Sequence, residues 1–313
     1  MALLTTGLTT GLVLDCGNLE TTILPVYTSR PLFPYISSSP LAGRSLTQRL
    51  KTLMLEHARY IPPSHLHLSL APQTAIPPDI LRPQLLEDIK TRVLFCSPLL
   101  IAKEGSADRV EEYKNFSSAT DTYFPIVRPD GTKATLLIPG WIRERTAEVL
   151  FEGDEDDEPN LAHCILNTLL KMGPDLRKPL ICNILLVGGT SGLPGLQSRL
   201  KQELLRIMRD PTKHEQRRYG SLLRLQKAIR FIDNPEESKG AGRIFMSNVR
   251  GWIGGSLMGS LKMSSEELTR EKYTGHVTDW SIGHWGIPPS IAPTAPITLT
   301  STSTEASSST SST

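Results

Sequence analysis

Residues 185–204, LLVGGTSGLPGLQSRLKQEL, constrain the fold of this chain more than any other stretch. Three apolar residues lead into Gly188, Gly189, Gly192 and Gly195, and a helical repeat follows. Leu196, Leu200, Leu204 and Ile207 recur on one helix face, and Pro194 suits a first helical turn. The stretch reads as strand, glycine loop, helix. Glycine admits positive φ and lets another group approach the main chain closely. A helix N-terminus adds unpaired N–H groups and the positive end of the helix dipole. The loop therefore suits a flat or anionic ligand. Its glycines suit a tight turn and close helix packing equally well. It is neither GxGxxG nor a Walker A loop, since no lysine follows the glycines. Ser191 lacks the glycine two residues on that a nucleophile elbow requires.

Strand and helix signals alternate along the chain, so the class is α/β. Residues 10–27 read as two strands around a Gly-Asn turn. Residues 43–59 read as a helix with Leu46, Leu50, Leu53, Met54 and His57 on one face. LLEDIKTRVLF reads as a second helix that buries Leu85, Ile89, Val93 and Leu94. Residues 121–139 read as a hairpin around Pro-Asp-Gly. LAHCILNTLLKM reads as helical and PLICNILLVGG as the next strand. WIGGSLMGSLK, residues 252–262, carries a second Gly-Gly ahead of a helix. EGDEDDEP reads as a solvated loop. Asp210 to Asn234 reads as a basic, solvated helix face. From Pro288 the chain becomes Pro-rich and then Ser/Thr-rich, a composition that cannot bury a core and reads as a disordered tail.

The 34 basic and 32 acidic residues leave a net charge of +2, which does not point to a nucleic-acid binder or a polybasic membrane protein. Cys16, Cys96, Cys164 and Cys182 are far apart and read as reduced thiols. The N-terminus lacks the basic region of a signal peptide. No run reaches the roughly 18 apolar residues of a membrane span.

VLDCGNLETT sets Asp15 at the end of an apolar strand and Gly17 in the turn after it. An aspartate there can hold a hydrated Mg2+ while turn amides face phosphate. A strand–Asp–x–Gly hairpin and a later strand–GGT–helix form the layout of the actin, Hsp70 and sugar-kinase superfold. TTGLVLDCG, LPVY, LAGRSLTQRL, EDIKTRVLF, PDGTKATL, LLVGGTSGLPGLQSRLKQEL and WIGGSLMGSL all resemble actin segments, in order, over roughly residues 9–275.

That resemblance implies an α/β, ribonuclease H-like fold, mainly the second actin domain. It would occupy residues 1–275, with an insertion near 210–250 and a tail over 276–313. It implies a nucleotide pocket for ATP or ADP with Mg2+, left here as Asp15, Gly17, Lys90, Gly188, Gly189 and Thr190, with Asp15 holding the metal through water. Several family positions differ. Asn18 and Leu19 stand where the family has aspartate and glycine, and Leu19 sets a Cβ where glycine would admit phosphate. Thr91 replaces the acidic ribose contact beside Lys90. Leu193 replaces an aromatic residue, and Asn248 replaces a basic one before the WIGG strand. The pocket is expected to be non-catalytic.

The match begins near the middle of an actin. The WIGGSLMGSL segment would then lack its main partner and leave apolar surface exposed. Within the family, the altered phosphate hairpin and PDLRKPLICNILLVGGTSGLPG look most like the actin-related class at the pointed end of dynactin. This likeness implies a cytoplasmic, cytoskeletal subunit whose partners are an actin-like filament and the pointed-end subunits. A nuclear actin-related subunit of a chromatin-remodelling complex and an active ATPase of the same superfold are the rival expectations.

Overall fold

The computed structural model describes residues 1–63, 71–99, 114, 117–128, 131–153, 159–232, 245–261, 269–273 and 275. The chain divides into two units, Met1–Ser265 and Glu266–Thr313. The described part of the second contains a single 3-10 turn, Arg270–Lys272.

The first unit contains, among the described residues, strands β1 (Gly11–Cys16), β2 (Thr21–Tyr27), β3 (Arg30–Pro31), β4 (Ser37–Ser39), β5 (Arg59–Ile61), β6 (Thr122–Val127), β7 (Lys133–Ile138) and β8 (Ile184–Val187). Its α-helices are α1 (Gly43–His57), α2 (Pro83–Val93), α3 (Gly140–Arg145), α4 (Leu161–Leu170), α5 (Pro174–Ile181), α6 (Leu196–Arg209), α7 (Lys213–Tyr219) and α8 (Arg250–Ser260).

β1 and β2 form the antiparallel hairpin expected from the sequence, with Leu14 opposite Ile23 and Cys16 opposite Thr21. β8 adds to β1 in parallel, so the strand that enters the glycine loop lies beside the strand that carries Asp15. The sheet order is β3-β2-β1-β8, with β4 also paired to β2. Leu12, Leu14, Cys16, Ile184 and Leu186 face one core with Leu161, Ile165, Leu196, Leu200 and Leu204. Leu185 and Val187 face the other side, against Leu3. Such two-sided burial is usual for a parallel strand and explains the unbroken apolar run ILLV.

A second, three-stranded sheet, β5-β7-β6, packs against α1 and α2. α1 buries Leu46, Leu50, Leu53 and Met54 as its spacing predicts, and His57 lies edge-on to Trp141 at 5.0 Å. α2 differs by one step: its buried line is Leu86, Ile89 and Val93, and Leu85 is half-buried. Pro83 starts the helix, two residues earlier than the apolar pattern indicates. The Pro129 and Asp130 positions of the expected hairpin turn lie outside the described residues. Gly131 adopts φ 80°, and Arg128 N–H reaches Thr132 O at 2.9 Å.

Three expectations need correction. PLICNILLVGG is not one strand. Pro179 to Ile181 close α5, which starts on Pro174, and only Ile184–Val187 is extended. Pro194 is not in the first helical turn. It precedes Gly195, the α6 N-cap, whose φ of 82° no other residue adopts easily. There is no WIGG strand either, because α8 runs straight through Gly254 and Gly255. Gly254 is needed there: a Cβ would collide with the Met1 carbonyl, where α8 crosses the N-terminal 3-10 helix Ala2–Thr6. Only Arg250 and Gly254 of this apolar helix are buried, and Trp252 is 78% exposed. Residues 154–158 of the acidic loop and the tail from 276 lie outside the described residues.

Candidate functional site

The six sequence-predicted residues come together. The β1–β2 hairpin brings Asp15 and Gly17 to the C-terminal end of β1, and β8 delivers Gly188–Thr190 to the same edge. Asp15 Oδ1 lies directly against Gly188, so a Cβ there would collide with it and with the Cys16 carbonyl. Thr190 Oγ1 donates to Gly17 O at 2.7 Å. Lys90 arrives from α2 and joins the cluster through α1, donating to Gly43 O at 3.3 Å.

The four glycines of the loop divide into two kinds. Gly188 (φ 89°) and Gly195 are required by contacts inside the protein, because a Cβ at Gly195 would meet the Cys96 carbonyl. Gly189 and Gly192 face open space. The loop is therefore partly a packing device and partly an open surface above the hairpin. Gly188→Ala is expected to cost about 2 kcal/mol in urea unfolding, combining left-handed strain with the displaced Cys16 carbonyl.

Sequence reasoning missed Gly43, Thr47 and Glu87. Gly43 N–H donates to Gly17 O at 3.1 Å and Arg44 N–H to Asn18 O at 2.7 Å, so the hairpin carbonyls cap the start of α1. The available signal is that Ala42 precedes this helix where a Ser, Thr, Asp or Asn cap is usual. Lys90 Nζ also donates to Thr47 Oγ1 at 2.9 Å and to Glu87 Oε1 at 2.7 Å. An ammonium has three N–H bonds, and all three are engaged by this chain's own groups. The amides of Asn18 and Leu19, by contrast, have no partner among the described residues.

Electrostatically the site is mild. Partial burial raises the Asp15 carboxyl above its ordinary 3.8, although the residue remains exposed. Glu87 is opposed by burial but held low by hydrogen bonds from Lys90 and Thr47 and by the Lys90 charge. Burial pushes the Cys16 thiol up to about 12, making it inert. The substituted positions follow their chemistry. Leu19 is 67% exposed at the hairpin tip. Thr91 turns its hydroxyl back to Glu87 O at 3.0 Å. Leu193 packs against both main cores. Asn248 sits in the 3-10 turn Ser247–Val249, which packs on the Thr190–Gly192 turn. A cavity of about 760 Å³, lined by Tyr60, Arg82, Leu85 and Ile126 among others, shares no residue with this cluster.

A family model described as Actin matches residues 1–281. The chain belongs to the actin family. This actin-family chain is 31% identical over 290 residues to Actin-related protein 10 of Dictyostelium discoideum, covering 85% of the chain and 55% of that relative. It is 31% identical over 221 residues to Actin-related protein 4 of Arabidopsis thaliana, covering 64% of the chain and 48% of that relative. The chain thus spans about half the length of the curated relatives it matches. Among the described residues, no helix is long and apolar enough to cross a membrane.

Proposed function

We propose that this chain is a non-catalytic, structural actin-related subunit of dynactin. It caps the pointed end of the short actin-like filament and supports dynein-based transport in the cytoplasm. The observation that carries the non-catalytic part is Lys90. Its donors are engaged by Gly43, Thr47 and Glu87. Asn18 and Leu19 supply neither the carboxylate nor the open glycine of the family hairpin. The dynactin part draws on the likeness to Actin-related protein 10 over most of the chain. A cap needs a surface that ends a filament, and no turnover.

A residual nucleotide site belongs to the same reading. Asp15 would hold a Mg2+ that keeps most of its water, and the amides of Asn18 and Leu19 would be the donors available to phosphate. The metal would supply charge neutralisation. The equal identity to Actin-related protein 4 favours a second reading, a nuclear subunit of a chromatin-remodelling complex.

Affinity purification of the protein, tagged at its C-terminus in its own gene, separates the two. Dynactin subunits in the mass spectrum are expected. Remodeller subunits in their place would overturn the first reading. Nucleotide released on denaturation, measured by chromatography, is expected well below one per chain. Stoichiometric ADP with turnover would restore an ATPase.

A further inference from the structure

We infer that the outer surface of residues 211–232 is a docking face for an acidic segment of a partner protein. This stretch has six cations and one acid, Glu215, while the whole chain is only +2. The acid is turned inward. Glu215 is 1% exposed and accepts from Arg206 at 2.7 Å and from the Thr212 amide at 2.7 Å, so its charge is spent inside. α7 and the following 3-10 helix Leu223–Ala228 direct Tyr219, Leu222 and Ile229 into the core. They leave Lys213, Arg217, Arg224 and Lys227 exposed.

Lys213 and Arg217 are one α-turn apart, and Arg224 and Lys227 are one 3-10 turn apart, so each pair lies along one edge. Among the described residues, none of these four has an acidic partner. Arg49–Glu152, Lys90–Glu87 and Arg92–Asp88 show what a locally neutralised cation looks like in this chain. Four exposed cations clustered around an acid that is turned inward concentrate positive potential and favour an opposite charge.

The face is also preorganised. A capping box fixes the start of α7, the Tyr219 hydroxyl donates to Asn167 at 3.0 Å, and Arg230 is tied to Cys182 O and Asn183 Oδ1. Little ordering is then needed on binding. A nucleic acid fits less well. Tyr219, the aromatic nearest these cations in the chain, is fully buried and offers no stacking platform. α7 has only 7 residues, too short to lie along a groove. Carboxylates one turn apart on an acidic helix match the two cation pairs. The inference does not depend on which actin-related assembly holds the chain.

The test is fluorescence anisotropy with the full chain, using a labelled glutamate-rich helical peptide and a labelled DNA duplex. The peptide is expected to bind, and its affinity to fall roughly tenfold as salt is raised to a few times physiological strength, since the Debye length shrinks. Arg224→Glu/Lys227→Glu and, separately, Lys213→Glu/Arg217→Glu should each weaken it about tenfold or more, with unchanged thermal unfolding. Absence of peptide binding, indifference to both charge reversals, or tighter binding of the duplex than of the peptide would each overturn the inference.

Discussion

Replacing Glu148 by alanine is expected to destabilise the chain by about 3 kcal/mol or more, the range for stripping one partner from a buried ion pair. Glu148 lies in the 3-10 turn Thr146–Leu150 that continues α3, and Arg199 on α6. The pair is bidentate, with Nη1–Oε1 2.8 Å and Nη2–Oε2 2.9 Å. Arg145, 1% exposed, adds Glu148 at 3.4 Å and Glu144 at 2.9 Å. Burial opposes the Arg199 charge, but hydrogen bonds to Glu148 and Glu203 more than offset it and raise its pKa. Without Glu148, Arg199 keeps one carboxylate, Glu203, and a 3.4 Å bond to Ser97 O, and the guanidinium remains buried against Phe151 at 4.7 Å.

The double variant Glu148→Leu/Arg199→Met removes both charges together, so it should cost well under the sum of the singles. Urea denaturation of the four species measures this. A Glu148→Ala variant within 1 kcal/mol of wild type, an experimental error's width, would show that water reaches the network and screens it.

The network also marks where reading the sequence stops. Arg199 and Glu203 lie three and seven residues after Leu196, on the edge of the leucine stripe, but spacing alone names no partner for a charge placed there. The partner comes from far off in the chain: Glu148, some fifty residues earlier, supplies the carboxylate that Arg199 meets. Gly195 is similar: its need for glycine is set by the Cys96 carbonyl, a contact between segments far apart in sequence. What was legible was local. Two apolar runs around a Gly-Asn turn gave β1 and β2, the leucine spacing gave α1 and α6, and the family resemblance is what paired Gly188–Thr190 with Asp15–Gly17, which the fold brings to one sheet edge. The strand wrongly extended through Pro179 and the WIGG segment share a cause. Both are short apolar runs, whose period cannot separate a buried strand from a helix. Lys90 was found by likeness, but its satisfaction by Thr47 and Glu87 required the α1–α2 packing to be seen.

Acidification is expected to weaken the fold through Glu215, by up to about 3 kcal/mol between roughly pH 5 and pH 2. Burial alone would raise this carboxyl. Hydrogen bonds from His163, Arg206 and the Thr212 amide, with the Arg206 charge, outweigh it and hold the group at about 2, below its ordinary 4.5. A group depressed in the folded state stabilises it fully above the unfolded value. That stabilisation fades as pH falls through the window down to the folded value, because the unfolded chain takes up the proton first.

Glu215 also closes the capping box of α7 with Thr212. Glu215→Gln should therefore be less stable than wild type by about 3 kcal/mol at neutral pH. Its stability should also depend less on pH in the acid range, so the two denaturation curves converge near pH 2. Curves that stay parallel from pH 6 to pH 2 would mean that the carboxylate's charge contributes nothing and that the loss comes from the cap alone. Convergence would assign the anchoring of α7, and with it the rigidity of the basic face above it, to one buried carboxylate.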